Sequence, residues 1–242
     1  MGWKDKIKEF VFGYRATSSS YITHLKKMGV TVGKDVVLFR PMNTTIDTQN
    51  PHLLKIGNHV MMTGPVTILT HDYSWCVLKR KYGEILGNQK ETVLEDNIFV
   101  GWGATILAGT HVGANSIIGA GSIVSGNLDG NAVYAGSPAR RVMSIDEYYM
   151  KRKEKQLSEA VNYVKCYKKC FGSIPPINKL DEYFYLFFDP TNKEQREIFD
   201  FKLKLMENYE ESLRMAGGAM FKSYEDFINY CELKDDGWEE NE

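Results

Sequence analysis

The chain is 242 residues long and 43% hydrophobic, enough to build one large folded domain or two small ones. Its 30 basic and 31 acidic residues leave a formal net charge of −1, which gives no overall electrostatic footprint for nucleic acid, so that class of partner is set aside. The four cysteines, Cys76, Cys166, Cys170 and Cys231, lack CxxC spacing; Cys166 and Cys170 are expected to share one helix face as buried thiols, which suits a reducing cytoplasm.

Within residues 1–20, Lys4, Asp5, Lys6, Lys8, Glu9 and Arg15 interrupt every apolar stretch, and nothing approaches the ~20 apolar residues that span a bilayer. The expectation is a cytoplasmic protein with neither a secretory signal nor an integral membrane segment. Trp3, Ile7, Phe10, Val11 and Tyr14 recur at helical spacing. A short amphipathic helix is predicted there, then a break at Ser18-Ser19-Ser20 and a second segment from Tyr21 to Met28. Residues 1–28 are expected to cap the open end of a solenoid, with a membrane-surface role as the alternative.

From Leu94 the chain places an aliphatic residue at every sixth position: Leu94, Val100, Ile106, Val112, Ile118, Val124. Six is neither the helical nor the strand period, so each unit must be one short strand plus a corner, with large aliphatics inward and small residues at the corners. Three units per coil would close a triangular prism of stacked parallel strands. The phase is visible earlier, at Val32-Gly33, Leu38, Ile56-Gly57, Met62 and Ile68, so the array spans residues 29–143. Two breaks interrupt it. One lies between Asn43 and Lys55, and the other, residues 73–92, is expected to leave the solenoid as an outer loop.

Beyond Val142 the pattern turns helical over residues 144–242, with capping boxes predicted at Ser144/Glu147, Thr191/Glu194 and Ser223/Asp226. The stops are Gly172 before Pro175-Pro176, Gly217-Gly218, and the acidic tail from Asp235. The aromatic run Tyr183 to Phe188 is read as core or subunit interface.

The hexads, together with the finish Ala135-Gly136-Ser137-Pro138-Ala139-Arg140, resemble the left-handed parallel β-helix acyltransferases of the hexapeptide-repeat family. The left hand comes from that resemblance alone, since crossover sterics favour the right-handed form. The resemblance implies acetyl-CoA as acyl donor and His71 as general base, attacking through an acceptor hydroxyl without a covalent enzyme intermediate. The residues agree. His71 ends a hexad strand just before the insertion, and an imidazole titrates near neutrality. Asp72 either orients the imidazole or only begins the loop. The resemblance also puts the acyl-CoA in a groove between neighbouring prisms, along Gly101-Trp102-Gly103, Ala108-Gly109, Ala120-Gly121-Ser122 and Ser125-Gly126, with Arg140 and Arg141 toward the nucleotide phosphates. Each glycine is equally explained by its corner, whereas Trp102 has no core to fill and would pack on pantetheine or a subunit neighbour. Asn43 and Asp47 lie where the family contacts a sugar, or else make turns with their own backbone. Tyr73, Trp75 and Tyr82 carry rings able to stack on a sugar, and Lys79, Arg80 and Lys81 lie beside them.

The expected function is O-acetylation of a sugar or polysaccharide precursor by a homotrimer. The alternatives are an N-acyltransferase on a nucleotide-linked amino sugar and a serine acetyltransferase-like enzyme, although that family carries its helical region before the prism. No metal is expected: the γ-carbonic-anhydrase type needs an HxxxxH pair, and His52, His59, His71 and His111 contain none.

Overall fold

The computed structural model describes residues 3–205, 208–215 and 217–235, in two compact units, Met1–Tyr148 and Tyr149–Glu242. In the first unit the chain visits three parallel sheets in rotation. The first sheet holds Thr31–Val32, Leu54–Ile56, Thr92–Leu94, His111–Val112 and Asn127–Leu128. The second holds Val37–Leu38, Val60–Met62, Ile98–Val100, Ser116–Ile118 and Ala132–Gly136, closed by the antiparallel strand Ala139–Ser144. The third holds Thr45–Ile46, Thr67–Ile68, Thr105–Ile106 and Ile123–Val124.

One circuit is three hexads long. Ile98 lies beside Ser116, eighteen residues on, as Thr105 lies beside Ile123 and Val93 beside His111. At the first break the offset widens, with Thr31 beside Lys55, and across the second Val60 faces Ile98, thirty-eight residues on. The additional residues therefore leave the stack without disturbing it. All six aliphatics of the hexad series are at most 1% exposed, and they form one core with Leu38, Ile46, Ile56, Met62 and Ile68. Removing each from water stabilises the stack by about 1.5–3 kcal/mol, which makes the period of six a packing requirement.

At the corner between the first and second sheets, Asp35, His59, Asn97, Asn115 and Asn131 all hold φ between +49° and +58°. This left-handed turn admits Asn and Asp at small cost. Two of the asparagines also bind their neighbours, Asn97 Nδ2 donating to Asn115 Oδ1 (2.8 Å) and Asn115 Nδ2 to Asn131 Oδ1 (3.0 Å). The outer faces of the sheets differ. The second presents Val37, Met61, Phe99, Ile117 and Val133 in register, whereas the first presents Thr31, Lys55, Val93, His111 and Asn127, and the third Thr45, Thr67, Thr105 and Ile123.

Two helices precede the sheets, α1 (Trp3–Phe12) and α2 (Ser18–Met28), the latter opened by a Thr17/Ser20 capping box. Helix α2 packs on the sheets. Its Tyr21 and Leu25 are buried in the sheet core, and the Tyr21 hydroxyl donates to Thr44 O (3.3 Å) and accepts from Ile46 N (3.2 Å). Trp3, Ile7, Phe10, Val11 and Phe12 of α1 are exposed.

The insertion is not a plain loop. His71–Asp72 pairs antiparallel with Asn88–Gln89, and between them runs α3 (Trp75–Tyr82), stopped by Gly83 at φ +82°.

Helix α4 (Ile145–Phe171) opens on the Ser144/Glu147 capping box, with Glu147 N donating to Ser144 Oγ (3.1 Å) and Ser144 N to Glu147 Oε2 (2.6 Å). Short helices follow over Lys193–Ile198, Asp200–Lys204, Tyr209–Met215 and Tyr224–Asp235. The first of these is capped by Asn192 through Gln195 N, because Thr191 is held by Asp189 instead, so the N-cap lies one residue beyond Thr191, and the Gln195 side chain accepts from Asp189 N rather than closing a box. Phe184, Leu186, Phe187 and Phe188 join Phe199, Phe227 and Cys231 in a second core, which makes the aromatic run interior. Cys166 and Cys170 are exposed, contrary to expectation, because α4 turns Ala160 and Val164 inward; Cys231 is the buried thiol, and burial pushes it up to about 11. The acidic tail beyond Asp235 lies outside the described residues.

Candidate active site

The third sheet repeats Thr-Ile three times, at Thr45–Ile46, Thr67–Ile68 and Thr105–Ile106, and its stacking decides what meets His71. Asp47 N donates to Ile68 O (2.9 Å), Leu69 N to Ile106 O (2.9 Å) and Leu107 N to Val124 O (2.9 Å). One edge therefore carries Asp47, then Leu69-Thr70-His71, then Leu107-Ala108-Gly109, then Ser125-Gly126. Along it Asp47 Oδ2 accepts from Thr70 Oγ1 (2.6 Å), Thr70 N (3.0 Å) and His71 Nδ1 (2.5 Å), while Oδ1 accepts from Gln49 N (2.9 Å). The Asp47 and His71 side chains are 7% and 13% exposed. Burial acts to raise the Asp47 carboxyl, but the donors from Thr70, Gln49 and His71 outweigh it and hold the group below the usual carboxylate range. A carboxylate can only accept, so the imidazole proton sits on Nδ1 and Nε2 is the basic nitrogen.

This corrects the role weighed for Asp72. Its exposed carboxylate accepts from Ser74 N (2.9 Å) and Asn88 Nδ2, fastening the base of the insertion rather than touching the imidazole. Strand alternation is the cause, since Asp72 follows His71 in the same short strand and faces the opposite way. Asp47 is likewise moved from its expected place against a sugar to the back of His71.

Tyr73 sets its ring edge-on to the imidazole, centroids 5.0 Å apart, and its hydroxyl donates to Gln49 Oε1 (2.7 Å). Trp75 packs edge-on against Tyr73 at 5.9 Å. Gln89, the strand partner of His71, donates from Nε2 to Asn50 Oδ1 (3.2 Å). Thr92 Oγ1 donates to Leu69 O (2.8 Å) and accepts from Gly109 N (3.2 Å). Gly109 holds φ +83°, and a Cβ there would come within 2.7 Å of the Lys90 side chain, so Lys90 lies across this corner.

The other small-residue stretches occupy the edge between the second and third sheets. Gly103 N donates to Pro65 O and Gly121 N to Trp102 O, both at 2.7 Å. Gly101 is buried against the next circuit, where a Cβ would meet Ala120 N at 2.7 Å. Ser122 is buried with its hydroxyl donating to Gly119 O (2.7 Å), so it serves its own corner and faces no ligand. Trp102 is exposed, with the Arg40 guanidinium 4.5 Å over its ring, a partner two circuits away that the sequence alone did not suggest. Asn43 sits on this edge too, exposed in the turn Pro41–Asn43, and is not brought to His71. Arg140 and Arg141 are exposed on the closing strand, Arg140 opposite Ala135, which in turn packs on Gly119. Among the described residues no cluster of three or more His, Cys, Asp or Glu is placed to hold a metal, and no helix is long and apolar enough to cross a membrane.

Comparison with known proteins gives a family match to the hexapeptide repeat of succinyl-transferase over residues 91–125. The protein CapG of Staphylococcus aureus is 33% identical over 161 residues, covering 66% of this chain and 90% of CapG. A galactoside O-acetyltransferase of Lactococcus lactis is 30% identical over 140 residues, 51% of this chain and 67% of that enzyme. Among solved structures, a hexapeptide-repeat containing acetyltransferase of Vibrio cholerae overlaps 59% of this chain and 89% of its own, at 18% identity and a TM-score of 0.43.

Proposed function

The chain belongs to the hexapeptide-repeat acetyltransferases and is an acyltransferase, and from that premise we propose that it transfers an acetyl group from acetyl-CoA to a hydroxyl of a sugar or polysaccharide precursor. The observation that carries this reading is the Asp47–His71 pair, an oriented base at a strand end, beside the rings of Tyr73 and Trp75.

In this proposal His71 Nε2 takes the proton of the acceptor hydroxyl as its oxygen attacks the thioester carbonyl carbon. The C–S bond breaks, and the proton passes from the imidazole to the departing thiolate, which restores the base. Asp47 stays ionised throughout and stabilises the transient imidazolium. The pantetheine arm runs along Ala108-Gly109 and Ser125-Gly126 on the His71 edge. Trp102, with Gly101, Gly103, Ala120 and Gly121, forms the far wall, and Arg140 and Arg141 meet the phosphates by paired N–H donation. Tyr73 and Trp75 stack on the acceptor ring. The three-sheet stack, read as a left-handed parallel β-helix, assembles as a homotrimer through the outer face of its second sheet, whose apolar column of Val37, Met61, Phe99, Ile117 and Val133 has the character of an interface core. The proposed site of action is the cytoplasm, where acetyl-CoA and activated sugars meet.

Acetyl-CoA incubated with a panel of hydroxyl and amino sugars, followed by mass spectrometry, tests the class of reaction. Acetyl on oxygen is expected, and acetyl on nitrogen would replace the reading with an N-acyltransferase of amino sugars. His71→Ala is expected to lower kcat by roughly 10² to 10⁴ with donor affinity nearly unchanged. Parallel loss of donor binding would make His71 structural and overturn its role as base.

A further inference from the structure

The second unit holds a cleft of about 920 Å³, at the upper end of the roughly 300–1,000 Å³ of small-molecule sites, and the acetyl transfer makes no use of it. Helix α4 supplies Tyr149, Arg152, Lys153 and Gln156 to its lining, and the aromatic run supplies Tyr183 and Tyr185. The run sorts its rings. Phe184, Phe187 and Phe188 are buried in the second core, whereas Tyr183 and Tyr185 stay half-buried and line the cleft. Each is fixed by packing, Tyr183 against Tyr163 with ring centroids 6.0 Å apart, and Tyr185 against Phe184 (4.5 Å) and Phe188 (5.9 Å). A tyrosine offers an apolar face and a hydroxyl together.

The charges of the lining are already matched. Arg152 Nη1 donates to Glu159 Oε1 (2.8 Å), Glu182 is paired with Lys202, and Lys153 Nζ donates to the Tyr149 hydroxyl (3.4 Å). An anionic ligand would have to break into these pairs. By contrast the side-chain amides of Gln156 and Asn208, both in the lining, have no hydrogen-bond partner among the described residues, and each offers donors and an acceptor to a neutral group. Fixed tyrosine rings beside open amides are the complement of a pyranose, which sets apolar C–H faces next to hydroxyls. A peptide fits less well, because the described residues of this unit include no strand whose edge could pair with one.

We propose that this cleft is a second carbohydrate site, taking an uncharged oligosaccharide, and that it is built by residues of the second unit without those around His71. Its use, to retain a polymeric acceptor between successive transfers, rests on the proposed O-acetylation; the binding does not.

The full-length protein applied to an array of neutral and acidic di- to octasaccharides, followed by calorimetric titration with the neutral oligosaccharide retained most, tests this. Binding of neutral oligosaccharides is expected. Tyr149→Ala removes a ring that is 58% exposed, so the core is left intact, and it should weaken the Kd about tenfold. Gln156→Leu should weaken it by a similar factor, with turnover of a monosaccharide acceptor unchanged in both variants and the KM for a polymeric acceptor raised. Binding without any acetyl transfer would remove the use and leave the site. Retention of no neutral oligosaccharide, tighter binding of the acidic ones, or an unchanged Kd in both variants would overturn the proposal. So would a change of molecular mass by light scattering in Tyr149→Ala, which would assign the cleft to another copy of the chain.

Discussion

Asp47 Oδ2 receives the Thr70 amide, the Thr70 hydroxyl and His71 Nδ1, so a single oxygen fixes both a strand end and an imidazole. Its lowered pKa links this to stability. The charged form is favoured in the folded state, so the stabilisation is complete above the ordinary carboxylate pKa of about 3.9 and is lost as pH falls through the lower folded value. The melting temperature of the wild type is expected to exceed that of Asp47→Asn at pH 7, with the gap closing as pH falls below about 4. A gap that stayed constant over that range would show that the charge contributes nothing. His71 was legible in the sequence because it ends a hexad immediately before the insertion. Its partner was not, because Asp47 lies twenty-four residues earlier and meets it only once the Thr-Ile repeats are stacked. Aligning Thr45-Ile46-Asp47 under Thr67-Ile68-Leu69 was the available signal.

The insertion acts as an element with two ends tied near the base: Asp72 holds Ser74 and Asn88, and Gln89 holds Asn50. Its middle, α3, has no buried residue. Replacing residues 75–86 by a Gly-Ser linker, which keeps the hairpin strands, is expected to leave donor binding intact, raise the acceptor KM several-fold and increase futile hydrolysis of acetyl-CoA. Unchanged acceptor kinetics would mean that α3 plays no part in holding the acceptor. The place and length of this excursion could be read from the broken period, but its helix and hairpin were not, since Trp75, Leu78 and Tyr82 give only two turns of helical spacing and two-residue strands carry no alternation. The cap moved from Thr191 to Asn192 because two adjacent polar residues were both chemically suited and a local turn decided, Asp189 taking the Thr191 amide and hydroxyl two residues on.

Over the whole molecule, the hexad period revealed the core but not the difference between outer faces. That difference becomes visible only when Val37, Met61, Phe99, Ile117 and Val133 are placed in one row. Phe99→Glu is expected to convert a trimer to monomers in light scattering while circular dichroism is retained, because the inward neighbours Ile98 and Val100 are untouched; Asn127→Glu on the first sheet should leave the mass unchanged. Monomeric wild type at micromolar concentration would overturn the trimer. The register also has a consequence for how this architecture varies. Closing a thirty-eight-residue circuit in place of an eighteen-residue one raises the chain-entropy cost by only about 0.6 kcal/mol, since that cost grows with the logarithm of length. A fold that stacks by nearest neighbours can therefore lengthen one edge almost at will, and novelty in such a scaffold accumulates at the seams between strands while the stack beneath remains the same.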